Sequence, residues 1–339
     1  MKNILNLSYM HLPLHLRACF LCLGMYAEDE KIEMSVVIRE WVAEGLVNNM
    51  HGQLDSMDVG KSYFNELINR SMIQSVKNYQ GEITYCRVHD LMLDLILSKC
   101  AEDNFLSMAS SSEDINTRLQ GCKYKVRRLS LRSMAGGATN GLAIGASVLS
   151  EVRSCAWPRN SMPPLLLFKY RRVLTLYSGG GGYECSTIDL TAINQLFQLR
   201  YLRVEANDGG SIELPCALKG LVYLETLDLN GYSSNSFPSD IVRLPCLSYL
   251  RLPRHAPAIQ GVQNMKSLRT LLQFNLEENS EKDIRGLGEL TNLRELELFG
   301  HDVETSKIEA LVFSVGKLHN LKRLHTVFTS LGLLSSIPF

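Results

Sequence analysis

The feature that most narrows what this chain can fold into is a spaced leucine pattern. "LPCALKGLVYLETLDL" (214–229) places leucine at 214, 218, 221, 224, 227 and 229, and "FPSDIVRLPCLSYLRL" (237–252) repeats that layout 23 residues later. Both contain L-x-x-L-x-L. That element recurs as "LRYLRV" from 199, "LETLDL" from 224, "LSYLRL" from 247 and "LRELEL" from 293. Degenerate copies are "VRRLSL" from 126, "VRSCAW" from 152, "RRVLTL" from 171, "LRTLLQ" from 268 and "LKRLHT" from 321. From 199 onward the spacings are 25, 23, 21, 25 and 28 residues. A unit of that length cannot bury its apolar face alone, so successive units must stack into a solenoid. The period is that of leucine-rich repeats. It predicts one short strand per unit in a curved parallel sheet, leucines inside, and the intervening residues on a concave surface suited to binding. The asparagine expected nine residues into a unit stands out only once, as Asn207.

Upstream of the repeats the periodicity is different. Apolar residues at three- and four-residue spacing predict helices over 9–24, 34–46 and 56–71. "MIQSV" (72–76) and "ITYCRV" (83–88) flank the polar "KNYQGE", which predicts a β-hairpin. "LMLDLILSKC" after it is apolar on nearly every side and predicts a buried helix. Helices, a hairpin and a further helix make a small winged-helix-like arrangement. "SMASSSEDINTRLQ" (107–120) is Ser-rich and polar and reads as a linker. The expected organisation is therefore an α/β multidomain chain: a mostly helical winged-helix domain over 1–106, a linker over 107–124, and a leucine-rich-repeat solenoid with a curved parallel sheet over 125–339.

Bulk chemistry removes several function classes. Lys plus Arg and Asp plus Glu are each 35, so the whole chain exerts no general pull on nucleic acid or anionic lipid. Nine dispersed cysteines fit free thiols in a reducing compartment better than a disulfide framework. "ACFLCLGMYA" (18–27) imitates a signal-peptide core, but His11, Pro13, His15 and Arg17 interrupt the run before it. No apolar run reaches the ~18 residues of a membrane span.

The N-terminal blocks carry a family resemblance. "ILNLSYMHLPLHLRACFLCLGMYAEDEKIEMSVVIREWVAEGLV" (4–47) resembles a diagnostic block of plant nucleotide-binding leucine-rich-repeat immune receptors. The family's run L-S-Y-x-x-L-P-x-H-L-x-x-C-F, its acidic Pro-Glu-Asp and its W-x-A-E-G are matched by Tyr9, Leu12, Pro13, His15, Leu16, Cys19, Phe20, Glu28, Asp29, Trp41, Ala43, Glu44 and Gly45. Ala27 departs, standing where the family usually has proline. "YFNELINRSMIQ" (63–74) and "VHDLMLDLI" (88–96) resemble the next two blocks in the right order, and the repeats follow, so the resemblance covers the whole chain. In the family these blocks end the nucleotide-binding module. Its phosphate-binding loop and Mg²⁺-binding aspartate are expected upstream of residue 1.

"VHD" matches the family's Met-His-Asp motif through His89 and Asp90, with Val88 for methionine. The resemblance implies that His89 approaches the β-phosphate of bound ADP. His89 lies between a strand and a helix, where backbone amides and the helix dipole favour an anion. Asp90 suits a helix cap. The plainer alternative, that His89 only caps or packs, stays open. A His-Asp metal-dependent phosphohydrolase would need a further upstream histidine and a downstream aspartate. His11, His15 and His51 exist, but Asp94 falls in the highly apolar helix, and no second His-Asp motif is expected. "GKS" (60–62) lacks the phosphate loop's first glycine, since position 55 is aspartate, so it reads as helix. Cys19 and Cys22 have C-x-x-C spacing but no second pair, and they read as core. "SGGGGYEC" (178–185) reads as a loop leaving a repeat strand.

Residues 1–108 hold nine Lys and Arg against fourteen Asp and Glu, a net of −5, which argues against DNA binding by the winged helix. The remainder carries +5, part of it in "CKYKVRRLSLR" (122–132), and a basic column recurs at Arg127, Arg153, Arg172, Arg200, Arg269, Arg294 and Lys322. The column is either solvated surface or part of an intramolecular contact between 1–108 and the first repeats. By resemblance the chain belongs to a cytoplasmic switch protein with ADP or ATP as its cofactor and no catalytic residue here. Its partner is a pathogen effector or a guarded host protein at the concave face. Tight nucleotide binding is expected only together with the upstream module. The rival reading is a stand-alone leucine-rich-repeat scaffold without nucleotide switching.

Overall fold

The computed structural model describes residues 2–47, 55–78, 80–108, 127–131, 151–158, 164–177, 187–205, 211–230, 237–253 and 255–328. Two compact units emerge, one formed by 1–163 with 170–181 and the other by 164–169 with 182–339.

The first unit begins with α1 (Lys2–Met10) and α2 (Leu14–Cys22). The single helix expected over 9–24 is thus two helices. Pro13 fixes φ at −52° with an extended ψ of 143°, so the chain turns there, and proline then starts α2 where its missing N–H costs nothing. A short strand, β1 (Ile32–Glu33), leads into α3 (Met34–Glu44), and α4 (Ser56–Asn69) follows. Asp55 caps α4 by accepting the Met57 N–H at 3.1 Å. The expected hairpin is β2 (Gln74–Lys77) and β3 (Ile83–Arg87), antiparallel, and β1 joins it on the free edge of β3. α5 (Asp90–Asp103) closes the winged helix. It is half-buried rather than enclosed: Met92, Ile96 and Cys100 face the core while Asp94 and Ser98 are exposed, a three- and four-residue stripe. The core under these helices gathers Leu16, Phe20, Trp41, Phe64 and Ile96.

This unit also holds four parallel strands: β4 (Ser107–Met108), β5 (Arg128–Ser130), β6 (Ser154–Pro158) and β7 (Val173–Tyr177). The first residues of the expected linker are therefore strand, and the rest of it lies outside the described residues, as do Asn207 and the Gly-rich 178–185. Ala156 of β6 and Tyr177 of β7 belong to the same apolar cluster as the winged-helix core.

The second unit is repeats. β8 (Thr187–Asp189) pairs in parallel with β10 (Ser211–Glu213), a small sheet the leucine pattern did not announce. β9 (Tyr201–Val204), β11 (Thr226–Asp228), β12 (Tyr249–Arg251), β13 (Thr270–Asn275), β14 (Glu295–Gly300) and β15 (Arg323–Phe328) form one parallel sheet in that order. Each expected repeat from 199 onward supplies one of these strands. Leu202, Leu227, Leu250, Leu271 and Leu296 stand in register and are essentially without solvent exposure. α6 (Glu281–Gly286) and α7 (Thr305–Val315) fill the later connections. Between repeats, side chains replace missing backbone partners: Asp240 accepts the Leu218 and Lys219 N–H groups at 2.9 Å, and Asp283 accepts that of Gly261 at 2.9 Å.

Candidate functional site

Two places bear on function. The first is the corner between β3 and α5. His89 is the N-cap of α5 in an extended conformation, and its Nδ1 lies 3.4 Å from the Leu91 N–H. Asp90 is the first helical residue, so it is His89 and not Asp90 that holds the capping position. Asp90 Oδ1 nonetheless accepts the Leu91 N–H at 2.6 Å, the better of the two contacts. His89 Nδ1 also lies against Asp90 Oδ1. Both side chains are about half exposed. Val88 beneath them is buried and anchors the corner to the core. Asp94 is exposed one turn along the helix. Among the described residues no group of three His, Cys, Asp or Glu is placed to hold a metal ion. A second His-Asp pair, His301–Asp302 after β14, escaped the sequence reading; Glu277 Oε1 accepts both of its backbone N–H groups, 2.8 Å from Asp302.

The sequence decoys resolve by packing. "GKS" is inside α4, and a side chain at Gly60 would come within 2.5 Å of Ile38 Cγ2, so the glycine serves a close helix approach. Cys19 and Cys22 are buried in α2, and burial pushes the Cys19 thiol up to about 12. Cys100 is likewise pushed up to about 12 and donates to the Leu21 carbonyl at 3.7 Å.

The second place lies within the first unit, where α3 meets the strands. "WVAEG" ends α3. Trp41 is buried beside Phe64, their ring centroids 6.4 Å apart. Gly45 adopts the left-handed conformation at φ 78°. The Gly45 N–H bonds the Val42 carbonyl and the Leu46 N–H that of Trp41, both at 2.9 Å, which closes the helix end. That turn fixes Glu44, and its carboxylate Oε2 accepts from Arg128 Nη2 at 2.8 Å and Nε at 3.0 Å. The pair is withdrawn from water: the side chains are 7% exposed for Glu44 and 15% for Arg128. The guanidinium also lies over the Phe105 ring at 4.1 Å. Burial pushes the Glu44 carboxyl up; Arg128 draws it back, with Arg172 and Arg153 acting more weakly in the same sense. Burial opposes the charge on Arg128 too, but the Glu44 carboxylate outweighs it, and arginine stays charged at any ordinary pH, so Glu44 is the titrating partner. One turn earlier, Glu40 accepts from Tyr26 at 2.6 Å and from Thr175 at 3.4 Å. Ser130 Oγ bonds the Met25 carbonyl at 3.1 Å.

The basic column is a real structural register. Backbone bonds of 2.7–2.8 Å link Arg153 to Arg127, Arg172 to Arg153, Arg294 to Arg269 and Lys322 to Arg294. It is interrupted at Glu225, which pairs with Arg200 at 3.2 Å, and at Ser248. Arg128, the residue in contact with Glu44, is the column's neighbour and not a member. On the second unit's sheet, Arg203 and Arg251 flank the buried Asp228 at 3.9 and 3.8 Å, and Arg323 grips Glu295 through two bonds of 3.0 and 2.8 Å. Lys123, Lys125 and Arg132 lie outside the described residues.

With this geometry in view, likeness to known proteins becomes informative. Residues 25–96 match the winged helix domain of disease resistance proteins, and residues 151–336 match the leucine-rich repeat region. The chain belongs to the plant disease-resistance proteins that join a winged helix to leucine-rich repeats. "Disease resistance protein RGA5" of Oryza sativa subsp. japonica is 36% identical over 347 residues, covering 100% of this chain and 30% of that one. "Probable disease resistance RPP8-like protein 2" of Arabidopsis thaliana is 29% identical, covering 95% and 35%, and "Disease resistance protein Pik-2" of Oryza sativa subsp. japonica is 29% identical, covering 88% and 32%. The chain therefore spans about a third of the length of the curated relatives it matches. Among the described residues no helix is long and apolar enough to cross a membrane.

Proposed function

We propose that this chain supplies the switch lever and the sensing surface of an intracellular plant immune receptor. The winged helix moves with the nucleotide state of a module upstream, and the repeats read a pathogen effector or a guarded host protein through their sheet face. ADP holds the receptor off and exchange for ATP releases it. His89, at the helix N-terminus, contributes one contact to the β-phosphate when that module is joined to it. The residues fit such a group only in part: His89 stands half exposed at the N-terminus of α5, while the Leu91 N–H there is already accepted by Asp90 Oδ1. One such contact is no phosphate cradle, and the chain by itself is expected to show no sub-micromolar ADP site in calorimetric titration. The role is signalling and not catalysis, in the cytoplasm.

The observation that carries this reading is the buried Glu44–Arg128 pair. It ties the last turn of the winged helix's α3 to a strand laid down beyond the linker region. A charge pair withdrawn from water is an intolerant joint, because breaking it strands a charge. In a receptor completed with a relative's nucleotide-binding module, Glu44→Arg is expected to raise basal defence signalling, and adding Arg128→Glu is expected to lower it again. Unchanged basal signalling in the Glu44→Arg receptor, at equal protein level, would point instead to a scaffold without a switch.

A further inference from the structure

In the second unit a two-residue turn leads into every strand of the main sheet: 197–198, 222–223, 245–246, 266–267, 291–292 and 319–320. The turns are equivalent by construction, so they act as controls for one another. The last three are polar, and there the second residue or its predecessor ties the stack together. Asn320 Nδ2 donates to the Thr291 carbonyl at 2.7 Å, Asn292 Nδ2 to that of Lys266 at 2.8 Å, and Ser267 Oγ to that of Pro245 at 2.6 Å. The first three turns abandon this pattern. Apart from the polar Gln198, they place Phe197, Val222, Tyr223, Pro245 and Cys246 in solvent, with Phe197 50%, Val222 42% and Tyr223 48% exposed. The fold does not require apolar side chains at a position that Lys, Thr, Asn and His occupy elsewhere in the same sheet. Phe197 is held in place: its ring lies over Gly220, where an added Cβ would stand 3.2 Å from it. These turns lead into neighbouring strands, so their exposed apolar side chains follow one another as a strip along successive repeats.

Lys219 and Arg243 precede the second and third turns; both are exposed, and neither has an ion-pair partner among the described residues. Asp240 is occupied with backbone N–H groups and Glu225 with Arg200. Neighbouring strands are about 4.8 Å apart, close to the ~5.4 Å pitch of an α-helix, so a helix laid across the turns meets one turn of the solenoid with each of its own. We propose that turns 197–198, 222–223 and 245–246 form a docking strip for an amphipathic helix of a partner protein whose apolar side chains are flanked by Asp and Glu. The strip lies on the flank where the strands begin, separate from the sheet face.

The test uses the full chain and a displayed library of helices of about 15 residues, near the shortest that hold helix in water. Selection is expected to enrich aromatic or leucine residues at i, i+3 or i+4 and i+7 with acidic neighbours. Binding of the enriched peptides is expected to fall at least about tenfold in the triple variant Phe197→Gln, Tyr223→Asn, Cys246→Asn, the weight of even one well-buried apolar side chain. Because asparagine at 223 and 246 copies the bonds made by Asn292 and Asn320, the unfolding midpoint is expected to hold. Phe197→Gln alone serves as the second variant. Lys219→Glu with Arg243→Glu is expected to shift preference toward lysine-flanked twins of the same peptides. Selection of acidic-apolar helices that bind the triple variant as well as the parent, or no such enrichment, would overturn the proposal. So would loss in that variant of binding to phosphatidylserine vesicles with peptide binding untouched, which would assign the strip to lipid.

Discussion

Replacing Arg128 by methionine keeps the length and apolar bulk of the side chain and removes only its charge and donors. Glu44 would then face a buried environment with Arg172 and Arg153 as its remaining, weaker attractions. Removing one member of a buried pair costs about 3–5 kcal/mol when the partner must stay charged. Here there is a ceiling, because Glu44 can take a proton instead. Protonating a carboxylate whose unfolded pKa is about 4.3 costs about 1.4 kcal/mol per unit of pH above that value, hence about 4 kcal/mol at pH 7 and about 1 at pH 5. The expected loss is therefore about 2–4 kcal/mol at pH 7. The sign follows from linkage: a carboxyl held above its unfolded value penalises the fold at high pH, and the penalty fades as pH falls toward that unfolded value. Denaturant unfolding of the parent and Arg128→Met, each at pH 7 and pH 5, measures this. The difference between them is expected to shrink by about 2 kcal/mol in acid. A difference below about 1 kcal/mol at pH 7, or one that does not change with pH, would refute the buried-charge reasoning.

Gly45→Ala is expected to cost about 1–2 kcal/mol, since φ is 78° and nothing lies within 4 Å of the new methyl; thermal unfolding reads a purely backbone penalty. Asp90→Val removes an acceptor of the Leu91 N–H and a negative charge from the first turn of α5, at an expected cost of about 0.5–1 kcal/mol given its exposure; a neutral result would assign the cap to His89 alone. Native alkylation at pH 8 is expected to modify the exposed Cys216 and Cys246 well before Cys19, Cys86 and Cys100, whose thiols burial pushes up to about 12; mass mapping of the adducts decides it.

The leucine spacing alone located every strand of the main sheet in the second unit, because a repeat's geometry is set by which residues must be inside, and that is written locally. The hairpin, α3, α4 and α5 were legible for the same reason. What periodicity cannot report is where a helix is interrupted within an apolar run, and Pro13 split the first one. Nor can it report short strands that lie outside the repeat pattern, β1, β8 and β10, which form where a neighbour offers its edge. His89 was placed at its helix N-terminus correctly, but whether it or Asp90 occupies the capping position depends on one residue of backbone geometry. The sequence showed an acidic half and a basic half. That Glu44 meets Arg128, and not the column residue Arg127 beside it, is a matter of which alternate strand residue points to which face, and only the tertiary packing of α3 decides that.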